Sequence, residues 1–244
     1  MSTKQATGEG PRHQGLSIVL PTYNEAGSIR SVIASLLELL PDKPLEVLVV
    51  DDDSRDGTAE TVRELARTDA RVRIIQRVGR SGLASAIKEG LIAAIHPIAM
   101  VMDSDGQHEP SSVFDAIQRL EDSGLDLVAG SRFLDHSAIH GLSDRRTEGS
   151  TLANHLARLT LPNSYRHLTD YMSGFFALNL ERCLPLIRKV DVNGFKFLYE
   201  LLSISHGQLR TGEIPLHFQP RLHGSSKLDV AVLWDFLVSL LHTA

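Results

Sequence analysis

Ile98-Ala99-Met100-Val101-Met102-Asp103-Ser104-Asp105-Gly106-Gln107 joins a short apolar run to an acidic turn. An apolar run of this kind, bounded by polar residues, reads as a buried strand of a parallel sheet. Two carboxylates then emerge together at its carboxyl end. With one residue between them, Asp103 and Asp105 can reach round the turn to one hard divalent cation, and Gln107 offers a neutral oxygen nearby. Mg²⁺ typically takes one or two carboxylates and leaves its other positions to waters and substrate phosphates. The same composition also makes ordinary turns and helix caps, so the neighbouring segments must arbitrate.

Upstream, strand and helix signals alternate. Leu16 to Leu20 is an apolar run closed by Pro21, and Ile29 to Leu40 has helical periodicity closed by Pro41. Leu45 to Val50 is rich in β-formers, and a helix follows near Thr58–Arg67. Val72 to Ile75 predicts a third strand, Leu83 to Ile95 a helix, and Ile98 to Met102 the fourth strand. A helix near Ser111–Asp122 and a strand at Leu125–Ala129 complete the pattern. Repeated β-α-β units with short connections predict an α/β fold, a doubly wound and mostly parallel central sheet with helices on both faces. Ligands of such sheets bind outside the carboxyl ends of the strands. Beyond about residue 131 the alternation stops, with helical patterns near Ser150–Leu161, Leu180–Ile187 and Phe195–His206 and a strand-like segment at Gly212–Phe218.

At 244 residues and 42% apolar side chains, the chain can bury a substantial core. A net charge of −5 gives no argument for nucleic-acid binding. The single cysteine, Cys183, excludes an intramolecular disulfide framework, and His136 and His140 sit among loop residues. No stretch reaches the roughly 18 apolar residues a bilayer span needs. Leu91 to Met102 is interrupted by His96-Pro97. Residues 1–14 have no apolar core and read as a flexible lead, so a cytoplasmic location is expected. Within Asp229–Leu241, Val230, Leu233, Trp234, Leu237, Leu240 and Leu241 fall on one helical stripe. Such a stripe packs on the domain or lies at a membrane interface.

The chemistry-bearing residues fall where strands end. The first strand runs into Pro21-Thr22-Tyr23-Asn24-Glu25, the second into Asp51-Asp52-Asp53-Ser54, with Asp56-Gly57-Thr58 opening a helix. Three acidic loops on one edge repel one another unless cations or hydrogen-bond donors offset them. Asp53 and Asp56 are expected as helix caps, whereas Asp52 and Glu25 are placed to accept hydrogen bonds from a nucleobase or ribose, and Tyr23 to stack on the base. No Gly-x-Gly-x-x-Gly follows the first strand and no Walker sequence occurs, which removes most support for dinucleotide and P-loop readings. A diphosphate would instead be held by metal and basic side chains.

Over roughly residues 15–240 the chain resembles family 2 glycosyltransferases of the GT-A fold, and specifically dolichol-phosphate (polyprenol-phosphate) mannose synthases. The resemblance rests on Pro21-Thr22-Tyr23-Asn24-Glu25, Val50-Asp51-Asp52-Asp53-Ser54, Gly82-Leu83, Asp103-x-Asp105-x-Gln107-His108 and Gly130-Ser131-Arg132. It continues in Ser173-Gly174-Phe175, Gly194-Phe195-Lys196 and Arg221-x-x-Gly224-x-Ser226-Lys227-Leu228. It implies that Pro21, Tyr23, Glu25 and Asp52 line the base and ribose pocket, and that Asp103, Asp105 and Gln107 hold Mg²⁺ or Mn²⁺ on the diphosphate. Ser104 would touch the nucleotide through its backbone. Lys196, Arg221 and Lys227 would close over the donor diphosphate, and Arg132 and Arg146, with Ser150, would meet the acceptor phosphate. Asp105, Arg132, Arg146 and Lys196 are the implied catalytic set.

A catalytic domain over residues 15–228 and a membrane-interface segment over 229–244 follow from the same resemblance. So does a peripheral position at the cytoplasmic face of a membrane, with a membrane surface, anchoring segment or anchoring partner. Two departures stand out: Ser104 and Gly106 replace the small apolar residue and Leu common in the metal motif, and Tyr171 replaces the Pro common after Asp170. Tyr171 is expected to alter the acceptor side. The implied reaction is inverting, metal-dependent transfer of mannose from GDP-mannose to a dolichyl or polyprenyl phosphate. Alternatives are UDP-glucose-dependent glucosyl transfer to the same lipid, a family 2 transferase acting on a saccharide acceptor, and a non-enzymatic sugar-nucleotide binding protein.

Overall fold

The computed structural model describes residues 14–41, 43–79, 82–134, 154–192 and 196–216. Seven strands form one sheet: β1 Leu16–Thr22, β2 Leu45–Asp51, β3 Val72–Gln76, β4 Ile98–Val101, β5 Leu127–Ser131, β6 Phe176–Asn179 and β7 Thr211–Pro215, in the order β3-β2-β1-β4-β6-β5-β7. Helices α1 Ile29–Leu39, α2 Thr58–Thr68, α3 Leu83–Ala93 and α4 Pro110–Asp122 connect the first five strands. A helical stretch over 154–160 (α5), α6 Leu180–Ile187 and α7 Phe197–Ile204 follow.

The expected α/β architecture, with a mostly parallel central sheet, is present. Between β4 and β5 lies a strand the sequence pattern did not reveal, β6, antiparallel to both. Its four residues run directly into α6, whose first turn is capped by Asn179 accepting from the Arg182 N–H. A four-residue apolar run against a helix start carries too little periodicity to separate strand from helix. Strand β1 also extends through Pro21 to Thr22, with Pro21 opposite Val50.

Register brings the acidic loops together. Strand β1 pairs in parallel with β2, Thr22 opposite Asp51, and with β4, Val19 opposite Val101. The Asp52 N–H donates to the Thr22 carbonyl (2.8 Å) and the Met102 N–H to the Val19 carbonyl (3.3 Å). All three strands therefore end on one edge.

Strand side chains alternate between two buried clusters, the two-residue period of a sheet covered on both faces. Val19, Val50, Val101 and Ala129 face α3, α6 and α7, while Ile18, Leu20, Val49 and Met100 face α1 and α4. Helix α3 lies so close to the sheet that a Cβ on Gly90 would sit 2.3 Å from Val19 Cγ1 and 2.9 Å from Val50 Cγ2. Among the described residues no helix is long and apolar enough to cross a membrane. The lead (bar its last residue), the stripe over 229–241, and His136 and His140 lie outside the described residues.

Candidate active site

The first two acidic loops are laced together rather than left to repel. The Asn24 N–H donates to Ser54 Oγ (2.8 Å), and Asn24 Oδ1 accepts from the Arg55 N–H (3.0 Å). The Glu25 N–H donates to Thr58 Oγ1 (2.9 Å). Asp56 accepts from the Ala26 N–H (3.0 Å), the Thr58 N–H (3.1 Å) and the Thr58 hydroxyl (2.5 Å). Burial would raise the Asp56 carboxyl, but these hydrogen bonds hold it below the usual carboxylate range. Asp56 thus fills the capping role expected of it. Asp53 does not: it takes a left-handed φ of 66° upstream, and the bonds to the start of α2 come from Asp56. Tyr23 and Glu25 stand partly exposed beyond β1.

The third loop is anchored from below. Ser28 Oγ donates to the Ser104 carbonyl (2.9 Å), and Ser104 Oγ donates to the Pro21 carbonyl (3.4 Å). Asp105 is buried, and its Oδ1 accepts from the Gln107 N–H (3.0 Å), turning the loop at Gly106 with its φ of 77°. Asp103 is the open member of the pair, its side chain 43% exposed, with His108 Nε2 at 3.6 Å from its Oδ2. The Ser173-Gly174-Phe175 segment passes close by, and a Cβ on Gly174 would lie 3.3 Å from Asp103 Oδ1. A side chain there would crowd the Asp103 carboxylate. Among the described residues no three His, Cys, Asp or Glu side chains cluster as a cage. Two carboxylates and an amide oxygen suit a hard cation whose remaining ligands are water and phosphate oxygen.

Two cations lie within electrostatic reach of Asp103. Arg132, directly after β5, grips Asp170 with Nε to Oδ2 at 2.6 Å and Nη2 to Oδ1 at 2.9 Å. Burial opposes the Arg132 charge, yet Asp170 and, additionally, Asp103 hold it above the ordinary arginine range. Lys196, at the N-terminus of α7, shifts the other way: burial and then Arg132 push its ammonium down, while Asp103 and Asp170 pull it back. Asp170 is itself fully buried, accepting also from the Met172 N–H (3.2 Å) and Asn154 Nδ2 (3.5 Å). Its loop hangs on Glu213 of β7, which accepts from the Thr169 and Asp170 N–H groups at 2.7 and 3.0 Å.

At the opposite end of the edge, Asp52 is clasped by the chain itself. Oδ1 pairs with Arg77 Nη1 at 2.9 Å and Oδ2 accepts from the Gly82 N–H at 2.9 Å.

With that geometry in place, the chain can be set beside known proteins. The family model described as "Glycosyl transferase family 2" matches residues 17–183. The chain belongs to this family. A dolichol-phosphate mannosyltransferase of Pyrococcus furiosus is 33% identical over 91% of this chain and 61% of its own length. That of Saccharomyces cerevisiae is 34% identical over 92% of this chain and 85% of its own. The crystal structure of glucosyl-3-phosphoglycerate synthase from Mycobacterium tuberculosis with Mn²⁺, UDP-glucose and phosphoglyceric acid superposes with a TM-score of 0.68. It has 24% identity, over 94% of this chain and 79% of that one, a likeness of fold. The chain therefore spans about three fifths of the archaeal relative's length.

For this glycosyltransferase, the fold gathers Pro21, Tyr23, Glu25, Asp52, Asp103, Ser104, Asp105, Gln107 and Arg132 at or just beyond strand ends, with Lys196 at the start of α7. Arg146, Ser150, Arg221 and Lys227 lie outside the described residues. The Ser104 carbonyl is spent on Ser28 rather than turned outward. Tyr171, beside Asp170, is 1% exposed, and its hydroxyl donates to the Tyr165 carbonyl (3.0 Å). Sequence reasoning missed Arg77, Asp170 and Glu213 as members of the site's framework. Arg77 had a signal, since it follows a strand end as Arg132 does. Glu213 had none, because its partners, the Thr169 and Asp170 N–H groups and the Thr169 hydroxyl, are 43 and 44 residues away.

Proposed function

We propose that this family 2 enzyme transfers mannose from GDP-mannose to a dolichyl or polyprenyl phosphate, inverting the anomeric centre. The observation that carries the reading is that Asp103, 43% exposed at the end of β4, lies within electrostatic reach of Arg132 after β5 and Lys196 at the start of α7. The names of the two mannosyltransferase relatives support the sugar and the lipid. The Mn²⁺ held with UDP-glucose in the mycobacterial synthase supports a divalent ion.

A phosphate monoester needs no dedicated base, because its second pKa is about 6 and it is largely ionised at neutral pH. One of its oxygens attacks the anomeric carbon as the bond from that carbon to the diphosphate oxygen breaks, and the electron pair leaves with the diphosphate. No proton need move. In-line attack on an α-linked donor gives a β-linked mannosyl phosphate. Lys196 would offset charge on the leaving diphosphate, and Arg132, fixed by Asp170, would orient the acceptor phosphate; both act by alignment and charge stabilisation. Mg²⁺ or Mn²⁺, held by Asp103, Asp105 and Gln107, would add positive charge at the diphosphate. The amphipathic stripe of residues 229–241 would bring the edge to the lipid surface, where the enzyme acts peripherally at the cytoplasmic face.

Thermal-shift titrations with GDP, UDP, GDP-mannose and UDP-glucose, each with and without Mn²⁺, test the donor. A ligand at a hundred times its Kd stabilises by about 2.7 kcal/mol. GDP-mannose with Mn²⁺ should give the largest shift. A larger shift with UDP-glucose would move the donor to glucose, and no metal-dependent shift with any nucleotide would favour a non-catalytic protein.

A further inference from the structure

Glu213 holds more than the loop that carries Asp170. From β7 its Oε1 accepts the Thr169 and Asp170 N–H groups at 2.7 and 3.0 Å, and its Oε2 accepts the Thr169 hydroxyl at 3.0 Å. Thr169 Oγ1 lies 2.5 Å from the hydroxyl of Ser131, the last residue of β5, and Ser131 Oγ accepts the Phe133 N–H at 3.1 Å. Ser131 and Phe133 are the chain neighbours of Arg132, and Thr169 is the neighbour of Asp170. The hydroxyls therefore bridge the same two segments that the Arg132–Asp170 pair joins.

Counting protons gives this bridge one direction. In its ionised form the Glu213 carboxylate only accepts, and each hydroxyl has a single hydrogen to give. Thr169 spends its hydrogen on Glu213, so the 2.5 Å contact carries the Ser131 hydrogen, and Ser131 Oγ accepts from Phe133. The charge at Glu213 thus fixes both hydroxyl rotors. Asp170 is fully buried and takes Arg132 Nε at 2.6 Å and Nη2 at 2.9 Å, so the rest of the guanidinium points where that carboxylate sets it. An amide at position 213 keeps the shape and reverses the order. Its oxygen would take the two backbone N–H groups and its NH₂ would donate to Thr169. Thr169 would then turn its hydrogen to Ser131, and the fully buried Ser131 hydroxyl would lose its acceptor.

We infer that Glu213 is a positioning residue for the acceptor phosphate, acting on Arg132 through Thr169, Ser131 and Asp170. The inference rests on the acceptor role proposed above for Arg132. Steady-state transfer from GDP-mannose to a short polyprenyl phosphate with Mn²⁺, beside calorimetric titration of GDP with Mn²⁺, tests it. The variants are Glu213→Gln, Thr169→Val, Thr169→Ser and the double variant Glu213→Gln with Thr169→Val. In Glu213→Gln and Thr169→Val the KM for the polyprenyl phosphate should rise about tenfold, while kcat at saturating acceptor stays within about threefold and the GDP Kd within about twofold. The double variant should be no worse than the poorer single one, because both substitutions break one hydrogen-bond chain. Thr169→Ser, which keeps the hydroxyl, should hold the acceptor KM within about threefold of native. Thr169→Val leaves the backbone N–H bonds to Glu213 in place, so it carries the test if Glu213→Gln does not fold. An unchanged acceptor KM in Thr169→Val, a GDP Kd that rises by the same factor, or a KM in Thr169→Ser as high as in Thr169→Val would overturn the role of Glu213 while leaving the proposed reaction standing. Absence of transfer by the unsubstituted chain would overturn both.

Discussion

Asp103 and Asp105 are chemically alike and structurally unequal. The Asp103 side chain is 43% exposed beside Gly174, whereas Asp105 is buried and accepts the Gln107 N–H that turns the loop. Asp103→Ala should therefore abolish Mn²⁺-dependent nucleotide binding with little change in Tm. Asp105→Ala should lose the same binding and also about 0.5–1.5 kcal/mol of stability, because the half-buried Gln107 N–H loses its acceptor. Denaturant titration beside nucleotide titration separates the two, and equal stability losses would contradict the assignment.

Glu213 gives a pH dependence. Burial pushes its carboxyl above the ordinary 4.5, with Asp170 adding to the rise, even though hydrogen bonds from Thr169 and Asp170 oppose it. A raised folded pKa means the folded state binds the proton more tightly than the unfolded chain. The associated stability is full below pH 4.5 and is lost as pH climbs through the raised folded value. Unfolding titrations at pH 4 and pH 7 should therefore show Glu213→Gln gaining on the native protein as pH rises. A gain in the opposite sense would mean that the hydrogen bonds from Thr169 and Asp170 dominate.

Elements were legible in proportion to their length and periodicity. Helices α1 to α4 and strands β1 to β4 fall within two residues of their sequence-based bounds, because alternating short apolar runs and amphipathic windows are unambiguous together. Strand β6 was not legible, being four residues wedged between core segments. Its antiparallel insertion is a long-range pairing that local pattern does not encode. Helix α3 shows another non-local constraint. Gly90 is unfavourable in a helix by about 1 kcal/mol relative to alanine. Yet a methyl there would press into Val19 and Val50, and overpacking typically costs about 1–3 kcal/mol. Gly90→Ala should lower Tm despite the gain in helix propensity. A raised Tm would show that α3 can shift outward freely.

Across the whole molecule, the candidate site draws on residues that the sequence already placed where strands end. Tyr23, Glu25, Asp52, Asp103, Asp105 and Arg132 all meet that description. The supports were less readable: Arg77 follows a strand end, but Asp170 and Glu213 act through partners brought close only by folding. The acidic edge proves less repulsive than its composition implies: backbone N–H groups, Arg77, Arg132 and Lys196 offset it before any ligand arrives. Asp103, its side chain 43% exposed and within electrostatic reach of Arg132 and Lys196, is where a diphosphate-bearing donor and an anionic acceptor would meet in the proposed reaction. The most direct test is transfer of radiolabelled mannose from GDP-mannose to a short polyprenyl phosphate, with Mn²⁺ and with chelator. A β-linked mannosyl phosphate lipid should form with the metal and be lost on chelation and in Asp103→Ala. Labelled lipid from UDP-glucose but not from GDP-mannose, or full transfer by Asp103→Ala, would contradict it.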